Sequence, residues 1–263
     1  MAAETTLQTL KDLAPWHHAI DLPGGQTTTD GNAADSTRFI TAINPRQMEP
    51  TLSRLFDGGG LAGRSFLDVG CNAGGYSFLA HEMGASHAVG FDARPHWIDQ
   101  ARFVRSMLDI DEEQVRFETM HMDAVADLGQ RFDVTLFKGV FYHLPNPIRA
   151  VELLASVTEH VMLIDTATSV DAPDDTLTIK FESADHLMSG VDGLSWYPGG
   201  PSVVAKIASA YGFSHHHVLY NRVGQAADTR DVARSSIGRC GVLVAREAST
   251  LRQFTSRGGS QGI

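Results

Sequence analysis

The sequence predicts an α/β fold: a mostly parallel sheet with helices on both faces. Three observations predict it. From residue 65 to about residue 164, short apolar runs alternate with segments patterned as helices, and such alternation marks successive β-α-β units. Two more strand-like runs, 216–222 and 241–245, then follow with a polar loop and no helix between them. The chain has 263 residues, 43% hydrophobic and 20% charged, which suits one α/β domain with insertions.

Taken in order, residues 1 to about 60 read as a helical, loop-rich lead-in. Within it, "PRQMEPTLSRLF" (45–56) spaces its apolar residues as a helix does, and "DGGG" stops it. Strands are expected at Ser65–Val69, His87–Phe91, Val115–Glu118, Phe132–Phe137 and His160–Ile164, with helices at about 75–83, 95–108 and 146–157. Residues 165–200 are rich in Asp, Ser, Gly and Pro and read as an irregular insertion after the fifth strand. A helix, "PSVVAKIASAYGF", comes next. His216–Arg222 and Gly241–Ala245 then suit an antiparallel pair at the sheet edge. The tail, 251–263, is polar and Gly-rich and is expected to be mobile.

Composition narrows the function. No apolar run approaches the roughly 20 residues that cross a bilayer, so no membrane partner is expected. The first residues lack the basic start and apolar core of a secretory signal. Two cysteines, Cys71 and Cys240, cannot build a disulfide framework, and a cytoplasmic location is expected. The formal net charge is −10 and the pI about 5.6. Phosphate-binding proteins usually present a basic face, so a nucleic-acid partner is disfavoured.

The most informative stretch is "FLDVGCNAGGYSFLAHEMGASHAVGFDA", residues 66–93. Asp68 stands at a strand end, and Gly70, Asn72 and Gly74 follow at alternate positions before a helix begins. Small residues there let a ligand approach the backbone, and the helix start offers free N–H groups. The spacing is not G-x-G-x-x-G, and an acid in the turn would repel a diphosphate but suit a cationic amine. Asp92, about 24 residues on, ends the next strand, where a carboxylate can accept both ribose hydroxyls. An amine plus a ribose without phosphate points to S-adenosylmethionine.

"LDVGCNAGG…GFD" resembles the first motif and following acidic position of class I S-adenosylmethionine-dependent methyltransferases. The Cys-Asn-Ala-Gly variant is similar to a subgroup holding tRNA wobble-uridine carboxymethyltransferases and sugar and natural-product methyltransferases. "LFKGVFYHLPNP" (136–147) and "WYP" (196–198) resemble further segments of that subgroup, and "WHHAIDLPGGQTTTDG" (16–31) resembles its lead-in. The resemblance covers roughly residues 12–245. It implies a Rossmann-like doubly wound seven-stranded sheet with an antiparallel last strand. It also implies a cap over 1–60 and a methyltransferase domain over 61–250 whose insertion, 165–200, is a lid. Carried over by position, Asp68, Gly70, Asn72 and Gly74 would surround the methionine part and Asp92 would take the ribose. Asp123 with Ala124 would sit by the adenine amine, and Phe137, Lys138 and Gly139 would close over the cofactor. Asn72 stands where many members have Gly, which implies a turn of slightly different shape. Asp123 reads equally as a helix N-cap for "AVADL".

Methyl transfer to an oxygen usually needs a base. His143 is the candidate, since it follows the fourth strand at its carboxyl end and a histidine offers a neutral form to accept a proton. The alternative is that it caps the helix starting near Asn146 or bonds a loop carbonyl. Tyr142 either lines the acceptor pocket or packs as core, and Lys138 either pairs with a carboxylate or is solvated. Trp196 and Tyr197 either stack on an acceptor ring or anchor the insertion by burial. His17 and His18 lie in the lead-in beside Trp16; either one of them touches substrate or they pack in an aromatic cap. "HHH" at 215–217 heads a strand, so its side chains alternate and do not form a three-ligand metal site. Glu182, Asp185 and His186 have a spacing open to a divalent ion, but it is not specific, and magnesium stands as an unsupported possibility. The expected function is O-methylation of a small-molecule hydroxyl, a sugar or natural product. A tRNA wobble-uridine modifying enzyme and a non-catalytic cofactor-binding domain are the alternatives.

Overall fold

The computed structural model describes residues 2–33, 42–182, 187–222 and 237–255. Asp185 and His186, the loop 223–236 and the end of the chain beyond 255 lie outside the described residues. Nine strands are assigned among the described residues: β1 Ser65–Val69, β2 His87–Asp92, β3 Val115–Thr119, β4 Phe132–Lys138, β5 Thr158–Ser169, β6 Leu177–Phe181, β7 Leu194–Pro198, β8 His215–Arg222 and β9 Ile237–Ala245. The helices are α1 Ala2–Asp12, α2 Glu49–Leu52, α3 Gly75–Glu82, α4 Pro95–Met107, α5 Pro147–Val157, α6 Pro201–Ala210 and α7 Arg252–Thr255. Seven strands form one sheet in the order β3-β2-β1-β4-β5-β9-β8, and β6 and β7 form a separate pair. Strand β9 runs antiparallel to both β5 and β8. This is the mixed sheet that the sequence predicts.

Backbone proximity groups the chain into two compact units. The first holds Met1–Ser53 with Gly60–His121, and the second holds Arg54–Gly59 with Met122–Ile263. In the first unit, β1 pairs in parallel with β2 and β2 with β3. All five residues of β1 are buried, as the near-continuous apolar run of a two-faced parallel strand requires. Phe66, Phe78 and Phe117 fill its core. The lead-in is packed rather than loose. Trp16 is fully buried and its indole N–H donates to the Leu10 carbonyl at 2.8 Å. The Gln100 amide of α4 donates to the carbonyls of Leu13 and Pro15. The stretch 45–56 is not one helix: it divides into a 3-10 turn at Pro45–Met48, α2, and the start of a second turn at Leu55–Gly58. Phe56 and Asp57 take positive φ there, which breaks the helical path.

In the second unit, β4 pairs in parallel with β5. Phe132, Phe137, Phe141, Phe213 and Phe254 are its large buried side chains. Asn146 and Pro147 start α5 as a cap and a first-turn proline, the Asn146 side chain accepting the Arg149 N–H at 3.1 Å. The stretch 165–200, read as irregular, is more ordered. Its first residues extend β5 to Ser169, and β6 and β7 form an antiparallel ladder within it. Residues 251–255, read as the start of a mobile tail, contain α7 and bury Leu251 and Phe254.

Candidate active site

In the first unit, the turn between β1 and α3 is built from left-handed residues. Gly70, Asn72 and Gly74 have φ of 66°, 51° and 77°. Asn is among the few side chains that tolerate this region, so Asn72 keeps the turn that glycine would make there. Its side-chain oxygen accepts the Ala73 N–H at 2.8 Å. Glycine is required at 74 for a second reason: a Cβ would approach the Phe117 ring at 2.4 Å.

Two carboxylates serve this turn. Asp68 is 2% exposed and accepts from Ser77 Oγ at 2.9 Å. Burial pushes its carboxyl up to about 7; the Ser77 hydrogen bonds oppose this, and the nearby Asp92 charge adds to it. Asp92, ending β2, accepts the Asn72 N–H at 3.2 Å and the Arg94 N–H at 3.0 Å. Burial raises its carboxyl too, against those backbone donors. Asp68 and Asp92 therefore stand at one turn, each through its own strand. Cys71 lies between them, and burial raises its thiol well above the usual range, so it is not a nucleophile there.

The lead-in histidines meet this turn. His18 is buried and its Nδ1 accepts the Gly75 N–H, the first of α3, at 3.1 Å. Its ring meets Tyr76 edge-on at 5.1 Å and stacks with His17 at 5.6 Å. His17 is half-buried in this aromatic group.

The second unit holds a separate cluster. His143 Nδ1 lies 2.7 Å from Glu182 Oε2, and that oxygen also accepts the Gly190 N–H at 3.0 Å. Both side chains are largely enclosed. Burial pushes the Glu182 carboxyl up, but His143 and Gly190 outweigh this and hold it below its ordinary value. His143 does not cap α5, because Asn146 does. Tyr142 packs against His143 at 3.9 Å between ring centroids and against Tyr197 at 5.4 Å. Tyr197 is buried with Lys180 Nζ 4.3 Å from its ring centre, while Trp196 donates from its indole to the Pro145 carbonyl at 3.0 Å. The β6–β7 pair thus brings Tyr197 to Tyr142, and Glu182, just after β6, reaches His143.

Lys138 is paired, not solvated: its ammonium meets Asp165 at 2.5 Å. Arg239 donates to the same carboxylate at 2.5 Å and Tyr220 donates to it through its hydroxyl. Burial pushes the Asp165 carboxyl up, but Lys138 and Arg239 prevail and hold it below the usual range. Phe137 is buried and meets Phe141 at 6.1 Å, and Gly139 takes a φ of 78°. Asp123 is exposed inside the first turn of the 3-10 helix Met122–Leu128, one residue past its start, and Ala124 follows it. Among the described residues, no group of three His, Cys, Asp or Glu side chains could hold a metal ion. No helix among them is long and apolar enough to cross a membrane.

A family described as a methyltransferase domain matches residues 61–191. A tRNA U34 carboxymethyltransferase of Campylobacter hominis is 34% identical over 96 residues, 36% of this chain and 33% of that protein. The counterpart in Campylobacter jejuni strain RM1221 is 24% identical over 167 residues, 63% of this chain and 52% of the relative. The matched stretch therefore spans from about a third to about half of these relatives. Among solved structures, the N-terminal domain of EvdMO1 with SAH bound superposes with a TM-score of 0.73 at 15% identity, covering 94% of this chain and 98% of that one. The same domain in the presence of SAH and D-fucose gives 0.67 at 15% identity, with the same coverage. At that identity the likeness establishes a shared fold.

Proposed function

We propose that the protein transfers the methyl group of S-adenosylmethionine to a small-molecule hydroxyl, a reading supported by the methyltransferase-domain match over residues 61–191 and by the shared fold. The cofactor supplies an electrophilic methyl on a cationic sulfur; the protein supplies alignment and proton removal. The turn fits such a ligand. Asp68 is a buried anion site suited to its ammonium, Asp92 is suited to its ribose hydroxyls, and left-handed residues keep the backbone close. Asp123, Ala124, Phe137, Lys138 and Gly139 remain assigned to the cofactor by resemblance.

One observation carries the choice of an oxygen acceptor, namely the 2.7 Å contact of His143 Nδ1 with Glu182. With Nδ1–H donated to a carboxylate, Nε2 keeps its lone pair and can take a hydroxyl proton. Tyr142, Trp196 and Tyr197 are the proposed walls for the acceptor, and His17 a further contact. The reading is tested by incubating the protein with methyl-labelled S-adenosylmethionine and hydroxylated small molecules, sugars among them, beside total tRNA. Label in a small molecule, lost in His143→Ala, supports it; label in tRNA alone overturns it.

A tRNA acceptor is the second reading, favoured by the similarity to tRNA U34 carboxymethyltransferases. Binding of tRNA that weakens steeply with salt would support it, because phosphate contacts release counterions. The formal charge of −10 argues the other way.

A further inference from the structure

Strand register lines up an unusual row of side chains in the second unit. Lys138 pairs with Asp165 across β4 and β5, Asp165 with Gly241 across β5 and β9, and Gly241 with Tyr220 across β9 and β8. Residues directly opposite share a face. Gly241 leaves a gap in this row, since a Cβ there would meet the Tyr220 ring at 2.8 Å. Tyr220 reaches across that gap to Asp165. In the row two residues along, Ala167 faces Arg239 and Arg239 faces Arg222. Two arginines therefore stand directly opposite one another, an arrangement that costs stability unless an anion joins them. Arg222 lies over the Tyr220 ring at 4.8 Å, and Arg239 is within 6.0 Å of the Tyr142 ring centre and hydrogen-bonded to that residue.

The charges in these two rows do not balance. Lys138, Arg222 and Arg239 bring three cations, and Asp165 brings one carboxylate. Lys138 and Arg239 both bond that carboxylate, yet the Arg239 side chain stays 38% exposed with donors to spare beyond its Nε. The rows lie at the carboxyl ends of β4 and β5, the side of a parallel sheet where ligands bind. Tyr142 links them to His143.

We infer that Arg239 and Arg222, backed by the Lys138–Asp165–Tyr220 row, form a subsite for an oxyanion carried by the acceptor, a carboxylate or a phosphate. The inference deepens the proposed reaction and rests on His143 receiving the acceptor hydroxyl. Guanidinium groups bind both anions through paired N–H donors, and their excess in a chain of net charge −10 is local.

The test titrates the full chain by calorimetry with sodium phosphate and with sodium acetate, ionic strength being held with chloride. Saturable binding of either anion is expected. It should weaken about tenfold in Arg239→Gln, from loss of charged hydrogen bonds, and about threefold in Arg222→Gln. Arg222→Gln leaves both cations on Asp165, so it reports even if Arg239→Gln fails to fold. Preference for phosphate or for acetate names the group. Absence of saturable binding above chloride overturns the subsite, and so does binding unchanged in Arg222→Gln and in any folded Arg239→Gln. S-adenosylhomocysteine is titrated separately: its failure to bind would sink the methyltransferase reading while leaving the anion result standing.

Discussion

Ser77 Oγ, in the first turn of α3, donates to the Asp68 carboxylate at 2.9 Å, with both side chains sealed from solvent. Asp68 titrates near 7 because burial disfavours its charge. A cationic amine binds the ionised form. The affinity for S-adenosylhomocysteine should therefore rise about tenfold between pH 6 and pH 8, following the ionised fraction of a group of pKa about 7. Calorimetry across that range should show the rise in the parent and a flat profile in Asp68→Asn.

The same group gives a stability prediction with a fixed sign. Its folded value, about 7, lies above the ordinary carboxyl value of 3.8. Between those limits the folded state holds a proton that the unfolded chain has released, so stability must fall as pH rises through that window. Denaturant unfolding from pH 4 to pH 7 should reveal this slope, and Asp68→Asn should reduce it.

Asp92 accepts two backbone N–H groups, from Asn72 and Arg94, and so holds the turn; under the proposed reading it also accepts from the ribose of the cofactor. Asp92→Ala should weaken S-adenosylhomocysteine binding by about 10- to 100-fold, the range for hydrogen bonds to a charged group. Asp92→Asn keeps one acceptor oxygen and should lose less. Equal binding by the alanine variant would remove the assignment.

Asn72 occupies φ 51°. Replacing it with glycine should leave melting temperature and cofactor affinity close to the parent. Valine, which is β-branched, should cost about 1–2 kcal/mol from the left-handed backbone alone. Thermal melts of the two variants make the comparison.

Glu182 should act through His143. Glu182→Gln keeps the shape but removes the charge that favours the imidazolium formed on proton uptake. With an acceptor found by the labelling screen, kcat should fall at least about tenfold, by analogy with the usual contribution of positioned acid–base groups. The pH profile should also shift, and Glu182→Asp should recover part of the rate. Loss of KM alone would mean that Glu182 only shapes the pocket.

Much of this architecture is legible in the sequence because it is local. β1 falls where an apolar run ends at a Gly-rich turn, and α5 starts where Asn146 and Pro147 supply the cap and the first-turn proline. The β6–β7 pair was missed because β6 is largely exposed, with Phe181 at 84%, so it shows no buried face amid turn-forming residues. Glu182 and His143 are 39 positions apart, and Lys138, Asp165, Tyr220 and Arg239 meet only through strand register. Nothing in the spacing of one chain reveals a register. His18 presents the same difficulty: its ring reaches Gly75 across 57 positions, and only the fold makes them neighbours.

That reach has a consequence for how the protein would fail. Adding a methyl to Gly75 would drive it into Pro45 and His18, so the lead-in is wedged against the very start of α3. Damage far upstream, such as proteolytic nicking near Trp16, should surface first as a slackened grip on the nucleoside and only later as melting of the sheet.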